Sequence, residues 1–142
     1  MKKRAIIFIL VIATLLAAVA VSAQAFLRGG AAAIYGSPGS QLFVKRIIDI
    51  SRRNGIVDFA DGTRAQLTNI WMINYESTGW DYPQERQILA GDTDTIILKN
   101  GGVIYDLVVD FSIRRGVYEF KNTKAIHWSQ VKRIYIAQQI KF

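Results

Sequence analysis

The chain has no cysteine, one histidine and two prolines among its 142 residues. Without cysteine there are no disulfides, no thiolate chemistry and no Cys-metal site, so the core alone must hold the fold. His127 has no second imidazole to share a metal with, and no set of partners for nucleophilic catalysis. By strand alternation it points away from the face of Ile126 and Trp128, as an exposed histidine. A glycine-rich phosphate cradle is also missing, because Gly29-Gly30 does not lie between a strand and a helix. Helical periodicity is absent beyond the first two dozen residues. These absences predict a protein that is not an enzyme and carries no cofactor or metal.

What is present begins with Lys2, Lys3 and Arg4, followed by an apolar run over residues 5–21 broken only by Thr14. Ser22-Ala23-Gln24-Ala25 closes it. A positive start, an apolar middle and an Ala-x-Ala end form a secretory signal, so residues 1–25 are expected to direct export to the periplasm or exterior. The cut falls after Ala25, or after Ala23 as second choice. The alternative is an uncleaved anchor, since the 17-residue run sits at the short edge of what spans a bilayer. Of the formal charge of +7, three cations lie in that segment. The remainder holds 15 Lys and Arg against 11 Asp and Glu. That mild excess suits an envelope protein, an anionic glycan or lipid headgroups, and falls short of a dedicated nucleic-acid binder.

The strongest pattern is internal. Residues 55–75, GIVDFADGTRAQLTNIWMINY, align without a gap on residues 116–136, GVYEFKNTKAIHWSQVKRIYI, at an offset of 61. Gly55, Phe59 and Ile73 fall on Gly116, Phe120 and Ile134. Upstream, Asp49, Ser51 and Arg53 fall on Asp110, Ser112 and Arg114. The register extends through turn residues, which points to duplication into units at residues 26–75 and 94–142, joined by a connector at 76–93. In the second unit, residues 95–99 and 103–111 read as strands around Asn100-Gly101-Gly102. Val103, Tyr105, Leu107, Val109 and Phe111 are expected on one face, as are Leu42, Val44, Ile48 and Ile50 in the first unit. Further strands are expected at 116–120, 124–128 and 131–137, with counterparts at 55–59, 64–67 and 70–75. Phe59, Phe120, Ile73 and Ile134 are the expected core.

Five short strands with a small turn before the last is the plan of an SH3-like or Sm-like barrel. Asp94-Thr95-Ile96-Ile97-Leu98-Lys99-Asn100-Gly101 through Val131-Lys132-Arg133-Ile134-Tyr135-Ile136 resembles the pattern D-x-I-x-L-x-[DN]-G … V-x-x-I-x-I of exported bacterial small β-barrel modules of that kind. The sequence departs from them where Tyr105-Asp106 replaces a glycine often found in the second strand. The resemblance implies an all-β chain of two tandem SH3-like barrels. One merged barrel or sandwich is the competing architecture.

Several motifs resolve into turn chemistry. Asp61-Gly62-Thr63 reverses the order of an aspartic-protease motif and reads as a hairpin turn. Asp81, Asp92 and Asp94 lack the spacing of a calcium loop. Ile113-Arg114-Arg115-Gly116 is similar to the Ile-Arg-Gly of Sm proteins, but export and modest charge argue against RNA. Two features point to binding. Arg52, Arg53, Arg114 and Arg115 occupy corresponding turns and offer basic tips to an anionic partner. Trp80 and Tyr82 lie on the connector beside Pro83, as a contact surface or as a plug between the units. The expected function is a non-catalytic, exported binding or assembly module. The alternative is a structural subunit that pairs, with copies of itself as well, through strand edges such as residues 131–137.

Overall fold

Runs of β-branched and aromatic residues, separated by glycine-containing turns, fold mainly as strand. The computed structural model describes residues 30–76 and 82–137, with the backbone alone at Tyr82. The expected signal at residues 1–25 lies outside them. Among the described residues, no helix is long and apolar enough to cross a membrane. The strands are β1 (Ala31–Ser37), β2 (Ser40–Ser51), β3 (Ile56–Phe59), β4 (Arg64–Gln66) and β5 (Met72–Asn74), then β6 (Asp94–Leu98), β7 (Val103–Asp106), β8 (Val108–Ser112), β9 (Val117–Phe120), β10 (Ile126–His127) and β11 (Val131–Tyr135). The connector forms an α-helical turn, α1 (Tyr82–Glu85), continued by a 3-10 turn at Arg86–Ile88. Single 3-10 turns at Leu67–Asn69 and Trp128–Gln130 precede β5 and β11.

All pairings are antiparallel, in the order β10-β9-β8-β2-β1-β5-β11-β6-β7, with β3 on β2 and β4 on β3. The sheet curls as a half-barrel. Strand β3 and the first 3-10 turn each lie 61 residues before β9 and the second 3-10 turn. The two candidate units are not separate sheets, however. They join through β2 against β8 and β5 against β11. They also share one core, in which Ile47, Ile50, Phe59, Ile73, Phe111, Phe120 and Ile134 belong to a single cluster.

Strand β1 has no counterpart among the strands expected from sequence, because Ala31-Ala32-Ala33 has weak strand propensity. It forms through its neighbours: β2 and β5 flank it, and its small buried side chains let both close in. A second departure concerns the faces. The expected strand at 103–111 breaks at Leu107, and its register slips between Val108 and Asp110. Strand β2 slips at the corresponding place, between Ile47 and Asp49. Each bulge inserts a residue and reverses the inward phase. Ile47, Ile50, Val108 and Phe111 are therefore buried, whereas Leu42 and Tyr105 are exposed. Alternation alone places Tyr105 on the inward face; it stands on the outer one.

The outer face of the central strands is covered as well. Met72, Ile97 and Tyr135 form a second apolar cluster with Tyr35, Trp71 and Leu89, the last contributed by the connector. Glu85 at the end of α1 clamps Arg133, with Nη2 to Oε2 at 2.6 Å and Nε to Oε1 at 2.7 Å, and accepts from the Tyr135 hydroxyl. The described part of the connector thus folds back onto the sheet.

Candidate functional site

Charged side chains in this fold divide into those that hold the chain together and those that face outward. The first group centres on Asp94, at the start of β6. Its two oxygens accept from both terminal nitrogens of Arg52, at 2.6 and 3.0 Å, and from the N–H groups of Val108 and Ala137, at 2.8 and 2.7 Å. Arg52 in turn donates to the carbonyls of Val108 and Ala137. The ion pair is almost wholly buried and ties four segments from both halves.

Asp106 fastens the turn between β9 and β10. Burial pushes its carboxyl up, but the Thr123 hydroxyl and the N–H groups of Leu107, Asn122 and Thr123 outweigh this and hold it below its ordinary value. The equivalent turn of the first half is held with the charges exchanged: Lys45 reaches Asp61 at 3.0 Å and Thr63 at 2.7 Å. Asp61, bonded by the Thr63 hydroxyl and N–H and by Lys45, is held at about 2. On the outer face, Asp58 pairs with Arg64 and Glu119 with Arg115. Asp49 lies between them, its carboxyl raised by burial and by the charges of Asp110 and Asp58. Among the described residues no group of three His, Asp or Glu is placed to hold a metal ion. No buried side-chain nitrogen or oxygen there lacks a partner.

One outward-facing feature has shape, a groove of about 760 Å³ beside β7. Its walls are the connector from Gln87 to Ala90 with Asp92 and Thr93, the segment Tyr105-Asp106-Leu107, and Lys121-Asn122. Tyr105 is 52% exposed and Ile88 39% exposed, two of the three exposed large apolar side chains among the described residues. The Tyr105 hydroxyl donates to the Ile88 carbonyl at 2.6 Å, fixing the groove floor. Strand β7 ends the sheet path, with β6 as its partner. The hairpin begins with the Leu98 N–H on the Gly102 carbonyl. Antiparallel alternation then turns Ile104 toward β6 and the backbone groups of Val103 and Tyr105 toward the open side.

The arginines expected as basic tips do not form one surface. Arg52 is a correction: its guanidinium is drawn into the core by Asp94 and is no tip at all. Arg53 and Arg114 are exposed, but they follow β2 and β8, which run antiparallel, so they leave at opposite ends of that pair. Arg115 is engaged by Asp110 and Glu119. Trp80 and the Tyr82 side chain lie outside the described residues. His127 is exposed, and its Nδ1 accepts from the Ser129 N–H at the following 3-10 turn. Sequence reasoning missed Tyr105, Ile88 and Lys121 as a group, since only the bulge between Val108 and Asp110 turns Tyr105 outward. Comparison with known proteins finds no matching family model, no matching curated protein and no matching solved structure.

Proposed function

We propose that this chain is a non-catalytic, exported binding or assembly module of the bacterial envelope, built as two fused SH3-like units that arose by duplication. The observation that carries the reading is the open groove beside a sheet edge that has no second partner strand among the described residues. The buried ionic side chains are spent on holding turns and halves together, while exposed apolar area gathers where a partner can reach it. The 61-residue spacing of β3 with β9, and of the two 3-10 turns before the final strands, supports the duplication and the SH3-like assignment. Lys2, Lys3, Arg4 and the Ala23-Gln24-Ala25 end support export.

Cell fractionation with intact-mass measurement tests the compartment. An exported chain beginning at Phe26 is expected, and recovery of the whole chain in the cytoplasm removes the envelope from the proposal. The second reading, a subunit that assembles through its edges, is favoured by β7 and β10 standing at the two ends of the sheet path. Light scattering on the purified protein separates the two. A monomer supports the module, and a large or open-ended assembly supports the subunit.

A further inference from the structure

We infer that the free edge of β7 receives an acidic, extended polypeptide segment as an added strand, with one of its apolar side chains in the groove between Tyr105 and Ile88. The inference rests on the binding-module reading and names its partner class. Three observations point the same way. The backbone N–H and C=O groups of Val103 and Tyr105 face away from β6, and the partner that matches such a row is another extended backbone. Their spacing is that of a strand, so an added segment places alternate side chains over the outer face, where the groove opens.

The charge of the edge then selects among peptides. Lys99 stands exposed in the hairpin turn before Val103, and Lys121 stands exposed at the far end beside Leu107, whose carbonyl accepts its N–H at 3.0 Å. No described carboxylate lies within ion-pair distance of either lysine. Asp92 is the one exposed acid lining the groove. A segment with carboxylates at both ends and apolar residues between therefore meets opposite charge at each end of β7. The other short edges differ. Strand β4 carries Arg64, already paired with Asp58, and β10 is two residues long, too short to template an added strand of this length.

The test titrates the isotope-labelled full chain with a synthetic Asp-Val-Thr-Val-Asp peptide and with its Lys-Val-Thr-Val-Lys counterpart. The acidic peptide is expected to shift and protect the amides of Val103 and Tyr105 and to bind roughly tenfold more tightly than the basic one. Lys99→Glu with Lys121→Glu should reverse that preference. Val103→Pro should abolish binding by removing an outward N–H that β6 does not use. If that variant fails to fold, the charge reversal still decides the matter. Equal binding of both peptides, no binding, or shifts confined to another surface overturns the inference. So does capture of phosphatidylglycerol vesicles through the two lysines while the amides of Val103 and Tyr105 stay unmoved. Those outcomes leave the export and assembly measurements unaffected, so failure of the partner assignment and failure of the module reading are separable.

Discussion

Arg52 and Ile113 stand 61 residues apart, in corresponding turns, yet one becomes half of a buried ion pair and the other packs against the core. The partner position differs in step: Asp94 answers to Ala33. Removing one member of such a pair strands its mate without water, which typically costs ~3–5 kcal/mol. Arg52→Ala should therefore destabilise the protein by about that amount in urea unfolding. Arg52→Lys should recover only part of it, because an ammonium cannot span both oxygens of Asp94 as the guanidinium fork does. Wild-type stability in Arg52→Ala would mean the pair is incidental. Nothing in a turn reading Arg52-Arg53-Asn54-Gly55 announces burial, since arginine decorates most turns from the solvent side and the carboxylate that captures it lies 42 residues away. Asp106 supplies a pH test. Its carboxyl is held below the ordinary 3.8, so the folded state binds its proton less readily than the unfolded chain. The stabilisation is present above about pH 4 and is lost as pH falls through the depressed value. Chemical unfolding at neutral and at strongly acidic pH should show a smaller acid loss in Asp106→Asn than in the wild type. Equal losses would assign the acid sensitivity to other carboxylates.

Bulges decide which face of an element reaches the core. Alternation places residues 103–111 and 42–50 in strands, and Gly62 and Gly101, at φ +86° and +89°, mark the hairpin turns between β3 and β4 and between β6 and β7. What alternation cannot supply is the slip at Ile47 and Val108, because an added residue leaves composition unchanged while it reverses every side chain beyond it. The outer face of Tyr105, and with it the groove, was illegible for that reason. In the described part of the connector the residue that fastens it to the sheet is Glu85, which no sequence motif marks. Arg133 is buried under α1 with Glu85 as its counter-charge. Glu85→Ala should leave that guanidinium uncompensated, at a cost of ~3–5 kcal/mol. It should also loosen the outer cluster, so that Trp71, 5.2 Å from the Tyr135 ring, reports greater solvent exposure by a red-shifted emission. An unchanged spectrum and melting point would show that the connector rests on the sheet without securing it.

At the scale of the whole molecule, the question is whether the two halves can unfold apart. The contacts between them say not. Strands β2 and β8 share a ladder, as do β5 and β11, and Arg52 of the first half is locked to Asp94 of the second. Inside the curl, the hydroxyls of Tyr75 and Tyr118 bond to each other across the halves, both buried. Burial drives both phenols well above their usual titration range, so both remain protonated at any ordinary pH and one donates to the other. Tyr118 stacks on Phe111 at 4.4 Å, and Tyr75 leans on Trp128 at 5.9 Å, so a single aromatic column runs through the shared core. The two halves are therefore expected to unfold as one cooperative body, because positions 61 residues apart face each other in both ladders, Ile50 against Phe111 and Ile73 against Ile134, so that each half completes the sheet of the other. Phe120→Ala should remove ~3–5 kcal/mol, out of the 5–15 kcal/mol or roughly so that a domain of this size has to lose. The loss should appear in both halves together. Unfolding followed by tryptophan emission and by far-ultraviolet dichroism should give coincident curves for the wild type and for Phe120→Ala, shifted by the same amount. If the variant instead unfolds in two steps, with the first half retaining strand signal after the second has melted, the shared ladders contribute less than the contacts within each half, and the chain is two barrels in contact rather than one.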